Sequence, residues 1–377
     1  MNRRDFCKGG LLSLVTLLTG CGLRETLFEQ GSSLIGSPSW MPRETMFYEK
    51  QGDEQVRCRT CHRNCRIPLG RRGFCGAREN HRGSLYSVVY GFPPAVSVSP
   101  IEKEPQYHYL PGSNILCVGT VGCNFTCKYC QNWNLSQRQL EDLERYHTYQ
   151  PREIVDLALE RDTPTISFTY NEPTVLYEYM YDISVLARER GLKVLVHSNG
   201  FMNPEPLKLL LPQVDAVTVD LKGFTQDFYQ EVTGGKLEPV LENLMTIKEQ
   251  KVWLELVNLV VPSLNDDLDT LKIMCRWITH NLGDNTPLHF SRFVPSYKLT
   301  NTISTPVKTL EMAYETAKQE GLKYVTIGNV PGHRFNSSYC PVCDSILIER
   351  HHFAVKGVYL NQGHCMTCGE EIPGIWS

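Results

Sequence analysis

From residue 113 to residue 330 the chain keeps returning to one pattern, a short apolar run followed by a stretch whose apolar residues recur every three or four positions. Strands bridged by helices of that length run parallel and are covered by those helices. The apolar runs predict strands at 115–121, 165–170, 193–198, 215–220, 252–260, 287–293 and 323–328, and the periodicity between them predicts helices at 151–161, 174–190, 204–211, 238–250, 266–281 and 307–320. Pro151 opens the first helix, with Ile154, Leu157 and Ala158 on one face. An α/β fold of about six βα units follows, either a partly closed barrel or a doubly wound open sheet. With 377 residues, 41% of them hydrophobic, there is material for such a core and for flanking modules. A formal charge of -3 with no long basic run gives no footprint for nucleic acid.

The loop after the first predicted strand reads Gly122-Cys-Asn-Phe-Thr-Cys-Lys-Tyr-Cys-Gln, so Cys123, Cys127 and Cys130 supply three thiolates in a C-x3-C-x2-C spacing. A closed zinc site or an ordinary four-iron cluster takes four ligands, which leaves one metal position open here. An iron-sulfur cube held at three corners has a vacant iron, and the amine and carboxylate of S-adenosylmethionine can chelate it. The competing assignment, zinc completed by Cys117, meets the difficulty that Cys117 lies inside the apolar run Ile115-Leu-Cys-Val-Gly and is expected to be a buried strand residue.

Of fifteen cysteines, eleven fall into three clusters, a pattern of metal sites rather than of disulfides. Cys58, Cys61, Cys65 and Cys75 form the first, in an Arg- and Gly-rich segment at 56–112 that has little core of its own; a tetrathiolate site, zinc or a second cluster, would supply folding free energy. Cys340-x2-Cys343 and Cys365-x2-Cys368 form the third, a zinc-ribbon-like spacing in a module at 331–377. Ahead of all three, Arg3-Arg4-Asp-Phe and the box Leu18-Thr-Gly-Cys21 predict a twin-arginine, lipoprotein-type signal at 1–21, with Cys21 lipidated and a linker at 22–55. Such a chain would be exported and membrane-anchored only through that lipid. The alternative is a cytoplasmic protein, where S-adenosylmethionine and a strong reductant are at hand.

The cysteine loop and its flanks, Leu116 to Trp133, resemble radical SAM enzymes of the pyruvate formate-lyase activase type. That resemblance implies a partial (β/α)6 barrel at 113–330, a [4Fe-4S] cluster on Cys123, Cys127 and Cys130, S-adenosylmethionine as cofactor and an electron donor as partner. It also implies roles at the strand ends: Asn171 and Glu172 toward the methionine amine; Ser198 and Asn199 in a segment similar to Asp-Thr-Asn-Gly; Asp220 and Lys222 near the methionine carboxylate and ribose; His289 near the adenosine; Tyr129 on the adenine. His197 departs from the pattern, standing where a carboxylate is usual and where some of these enzymes bind a monovalent cation. The plainer role for such residues is to cap helices and satisfy loop backbone.

Outside the barrel, Arg72-Gly-Phe-Cys-Gly, Ser87-Val-Val-Tyr-Gly, Tyr109-Leu-Pro-Gly-Ser, Cys130-Gln-Asn-Trp, Ile327-Gly-Asn-Val-Pro-Gly-His, Tyr339-Cys-Pro-x-Cys and Ile372-Pro-Gly-Ile-Trp are similar to the radical SAM enzymes of AmmeMemoRadiSam systems. This implies association with Memo-like and AMMECR1-like proteins. The expected function is reductive cleavage of S-adenosylmethionine to a 5′-deoxyadenosyl radical. Two contrasting readings are a glycyl-radical-enzyme activase and a non-catalytic multi-metal binding module; zinc is the metal expected at the C-terminal cysteines.

Overall fold

The computed structural model describes residues 43–144 and 147–377. Arg3, Arg4, Cys21 and most of the expected linker lie outside the described residues. Among the described residues no helix is long and apolar enough to cross a membrane.

The centre is one eight-stranded sheet. Its strands are β1 (Ala95–Pro100), β2 (Asn114–Gly119), β3 (Thr165–Phe168), β4 (Lys193–Ser198), β5 (Ala216–Asp220), β6 (Trp253–Val260), β7 (Leu288–Arg292) and β8 (Val325–Gly328). From β2 to β8 every strand pairs in parallel with the next in sequence, and β1 lies antiparallel on the outside of β2. This order decides between the two expected architectures. A doubly wound sheet reverses its strand order at a switch point, whereas right-handed crossovers that always advance in one direction put every helix on one face and curl the sheet.

The helices α1 (Pro151–Glu160), α2 (Tyr177–Glu189), α3 (Pro204–Leu210), α4 (Glu238–Glu249), α5 (Leu268–Asn281) and α6 (Val307–Gln319) cover that outer face. Strand alternation sorts the side chains: Val118, Phe168, Val196, Val219, Leu256, Phe290 and Ile327 pack outward with Ile154, Ile183, Leu207, Leu244 and Met274 in the main core. Asp267 starts α5 by accepting the Thr270 N–H at 2.8 Å. The helix expected over 174–190 begins with one tighter turn, Pro173–Leu176, because the Glu172 carboxylate caps it at the Thr174 N–H.

Two expected boundaries are corrected. Arg43–Glu44 pairs with the strand Ser84–Ser87 and Tyr48–Lys50 with Val56–Cys58, so the segment expected as linker up to residue 55 already belongs to the first module. That module in turn ends early. β1 extends the barrel sheet, and the segment from Ile101 to Gly112 enters the barrel lumen, where the Tyr107 and His108 N–H groups each donate to the Glu255 carboxylate at 2.8 Å. Gln106 donates to Thr218 Oγ1 at 2.9 Å, and the Thr218 hydroxyl donates to the Glu104 carbonyl at 2.7 Å.

The C-terminal module holds this stopper from the other side. Arg350 and Glu102 have no exposed side-chain surface, Arg350 donates to the Tyr107 carbonyl at 2.6 Å, and Leu110 and His108 exchange backbone hydrogen bonds with Ile375 at 2.7 and 2.8 Å.

Candidate functional site

The cysteine loop leaves the C-terminal end of β2 through Gly122, whose φ is +86° and whose added Cβ would lie 2.2 Å from the Cys75 carbonyl oxygen. Only glycine satisfies both conditions. Asn171 clamps the same turn, accepting the Thr120 N–H at 3.1 Å and donating to the Gly122 carbonyl at 2.8 Å. Farther on, the Thr126 and Lys128 N–H groups donate to the carbonyls of Thr233 and Val232 at 2.8 and 2.9 Å. Those carbonyls belong to a wide helical turn, Tyr229–Thr233, that no periodicity in the sequence announces.

Cys123, Cys127 and Cys130 open onto one cavity of about 410 Å³ at the C-terminal mouth of the barrel. Tyr129, Asn171, Glu172, Ser198, Asn199, Asp220 and Lys222 line it as well, so nearly the whole expected set converges. His289 is the correction. It sits one layer deeper in the lumen, 2% exposed, bonded to Glu255 Oε2 at 2.7 Å and Thr326 Oγ1 at 2.6 Å, and does not line the cavity. The reason is the Ile101–Gly112 segment, whose Tyr107 ring packs on the His289 ring at 4.5 Å and fills the space between it and the mouth.

The carboxylate of Glu172, 1% exposed, is the hub of the second and third strand ends. It accepts from Thr174 N (3.0 Å), Thr174 Oγ1 (2.5 Å) and Ser198 Oγ (2.9 Å) at one oxygen and from Asn199 N (2.8 Å) at the other. Asn199 passes the connection on, donating to Asn124 Oδ1 at 2.7 Å beside Cys123.

On the cavity floor lies a charged row the sequence showed only in part. Glu104 Oε2 meets His197 Nδ1 at 3.1 Å, His197 Nε2 meets Asp220 Oδ1 at 3.2 Å, and Asp220 Oδ2 meets Lys222 Nζ at 2.9 Å. Burial by itself would lower the His197 pKa, but Asp220 and Glu104 together overcome it and raise it to about 10, so the ring is an imidazolium at neutral pH. Burial likewise opposes ionisation of Asp220, yet Lys222 and His197 hold its carboxyl well below the usual range. Glu104 was missed because it lies in a loop without periodicity. The available signal was the run of polar residues at alternate strand positions, Ser167, Thr169, Thr218 and Glu255, which marks a polar lumen.

The residues present fit a cubane cluster with a chelating nucleotide. No three sulfurs of the loop close to zinc-like spacing, since among the described residues the C-terminal cysteines form the one group of at least three such ligands within 4.8 Å. The buried Tyr129 hydroxyl and Asn124 amide nitrogen have no partner among the described residues.

At the C-terminal module, Cys340 Sγ lies 3.6 Å from Cys368 Sγ and Cys343 Sγ 3.8 Å from Cys365 Sγ. A zinc ion with bonds of about 2.3 Å spaces tetrahedral thiolates about 3.8 Å apart. Cys58, Cys61, Cys65 and Cys75 surround a second, smaller cavity.

A parallel barrel whose first parallel strand, β2, ends in a three-cysteine loop at a polar cavity is the architecture of a protein able to hold an open-cornered iron-sulfur cluster. Residues 117–274 match the family described as Radical SAM superfamily. The chain belongs to that superfamily, and is an enzyme related to the activases of glycyl radical enzymes. An uncharacterized protein of Methanocaldococcus jannaschii is 48% identical over 332 residues, covering 88% of this chain and 98% of that one. The pyruvate formate-lyase-activating enzyme of Clostridium pasteurianum is 24% identical over 163 residues, 40% of this chain and 63% of that protein. Among solved structures, a domain of the pyruvate-formate lyase-activating enzyme from Bacteroides vulgatus aligns with a TM-score of 0.38 at 16% identity, over 43% of this chain and 98% of that domain.

Proposed function

We infer that the chain cleaves S-adenosylmethionine reductively on a cluster held by Cys123, Cys127 and Cys130, as a member of an AmmeMemoRadiSam-type system. The observation that carries this reading is the convergence of the three cysteines with Tyr129, Glu172, Ser198, Asn199, Asp220 and Lys222 on one cavity. With cluster and nucleotide bound, one-electron reduction of the sulfonium supplies methionine and a 5′-deoxyadenosyl radical.

The chain's own residues do the rest. Glu172 Oε2, engaged among the described residues only by the Asn199 N–H, keeps an acceptor position for the methionine ammonium. Asn171 braces the cysteine loop with both ends of its amide, and its Oδ1, which accepts the Thr120 N–H, keeps a second lone pair for the methionine amine. Lys222 and the His197 imidazolium place two positive charges toward the methionine carboxylate, with Asp220 between them. His197 thereby supplies from the chain the charge that a monovalent cation brings in some activase-type enzymes. Tyr129, stacked on Phe228, offers its ring to the adenine.

Zinc at Cys340, Cys343, Cys365 and Cys368 is supported by the sulfur spacing. Work beside Memo-like and AMMECR1-like proteins, and a lipid anchor at Cys21 after twin-arginine export, are supported by the sequence motifs. A second reading, activation of a glycyl radical enzyme, is favoured by the relatives named as activating enzymes; a glycine-centred radical appearing on a partner would establish it.

The test is incubation of the anaerobically reconstituted chain with S-adenosylmethionine and a one-electron reductant. 5′-Deoxyadenosine should form with the wild type and not with Cys127→Ala. Undiminished cleavage by the variant, or none by a wild type with full iron content, overturns the reading.

A further inference from the structure

Four thiolates close around one zinc ion only when their sulfurs draw to about 3.8 Å, as the bond length and tetrahedral angle require. The C-terminal four do so, at 3.6 and 3.8 Å. Cys58, Cys61, Cys65 and Cys75 do not: among the described residues no three of them bring their sulfurs within 4.8 Å of one another. They nevertheless ring a common cavity, together with Arg63, Ile67, Phe74 and Arg78. The catalytic triplet provides an internal standard, because Cys123, Cys127 and Cys130 fail the same spacing criterion. A cube sets its ligating sulfurs about 6 Å apart, since each binds a different iron corner. Like the triplet, and unlike the ribbon, the N-terminal four are not drawn to the spacing of a zinc site.

Charge agrees with a metal centre at these four thiolates. Arg78 is paired with the carboxylate of Glu178 at 3.0 Å. Arg63 has no carboxylate partner among the described residues; it donates to the backbone carbonyls of Asn124, at 2.8 Å, and Gly234, and lies 3.8 Å over the Phe74 ring. A half-buried guanidinium left without a carboxylate on the wall of a four-cysteine cavity complements the net negative charge of a four-thiolate metal centre, zinc and iron-sulfur alike, so the charge marks a metal centre and the sulfur spacing chooses between the two.

We propose that Cys58, Cys61, Cys65 and Cys75 hold a [4Fe-4S] cluster, not zinc, seated directly against the catalytic cysteine loop. The two sites share a wall. The Cys75 carbonyl packs on Gly122 and Arg63 binds the Asn124 carbonyl, and these two residues flank Cys123. The proposal rests on reading the triplet as a cube, and the experiment separates the two.

Full-length chain is reconstituted without oxygen; iron, sulfide and zinc are counted per chain, and the reduced protein is examined by electron paramagnetic resonance with and without S-adenosylmethionine. Wild type should carry about eight iron atoms and one zinc. The variant Cys123→Ala/Cys127→Ala/Cys130→Ala should keep about four irons, with a signal that S-adenosylmethionine does not shift. Cys61→Ser/Cys65→Ser should lose the same number and keep the signal that does shift. In doubly reduced wild type the two signals should broaden one another. A triplet variant with no iron and a second zinc overturns the proposal; so does a wild type with about four irons and two zincs. Failure of the triplet reading looks different: wild-type iron that never responds to S-adenosylmethionine and that falls only with the N-terminal substitutions. If the N-terminal variant does not fold, the triplet variant decides alone, because it leaves the N-terminal cysteines untouched.

Discussion

Replacing His197 by alanine tests whether the cavity floor depends on a charge the chain itself provides. The ring nitrogens lie 3.1 Å from Glu104 and 3.2 Å from Asp220, and the side chains of His197 and Glu104 are 19% and 5% exposed. Removing one member of a buried charged set costs about 3–5 kcal/mol, because the partner is left uncompensated. Lys222 still holds Asp220 at 2.9 Å, which puts the expectation at the lower end, about 3 kcal/mol below about pH 6.5. The pH dependence follows from the sign of the shift. The folded pKa of about 10 lies above the unfolded value, so the stabilisation is complete below the unfolded pKa and is lost as pH rises through about 10. The gap between variant and wild type should therefore shrink above about pH 10 to the packing loss, about 1 kcal/mol. Urea unfolding of matched anaerobic preparations, followed by circular dichroism at both ends of that range, measures the gap. Sodium or potassium should restore part of the lost stability by entering between the two carboxylates, and tetramethylammonium at equal ionic strength should not. A gap that is absent at the acidic end, or equal at both ends, would refute the charge assignment.

Arg350→Met should destabilise the chain by about 3–5 kcal/mol in the same unfolding experiment, since Glu102 is left buried without its counter-charge; Glu102→Gln added to it should recover part of that loss. Cys365→Ser should cost one zinc per chain by metal analysis and leave the iron count unchanged. Gly122→Ala combines a left-handed backbone with a contact to the Cys75 carbonyl, and should lower the iron bound at both the triplet and the N-terminal cysteines. An effect confined to the triplet would show that the shared wall is not rigid.

Much of the barrel was legible because its outer face is a plain hydrophobic pattern. The strands expected at 193–198 and 252–260 are observed at Lys193–Ser198 and Trp253–Val260, and Cys117 is buried in β2 as its apolar run implied. Glu172, Ser198, Asn199, Asp220 and Lys222 were legible because they follow apolar runs at strand ends, where a parallel barrel collects polar groups. What escaped the sequence was the lumen. Glu104, Gln106 and Tyr107 belong to an aperiodic segment whose partners, Thr218 and Glu255, stand more than a hundred residues away, and no local pattern encodes such a meeting. The same segment explains why His289, expected near the adenosine, ends beneath the cavity. The turn at Tyr229–Thr233 escaped for a related reason: its service is to the cysteine loop, not to its own neighbours.

The stopper in the lumen has a consequence for how the molecule is made. Its inward face is pinned by β5 and β6, but its outer edge is hydrogen-bonded to Ile375 and its ion pair is with Arg350. A ribosome that has emitted the whole barrel, through residue 328, has yet to synthesise either anchor. Until the ribbon emerges and docks, the segment is held by its bonds to Thr218 and Glu255 without those of the ribbon. The inward side of the stopper can therefore dock as the barrel forms, whereas its outer edge waits for the last residues of the chain, and a translation product cut short before the ribbon would leave the Glu102 carboxylate without its counter-charge.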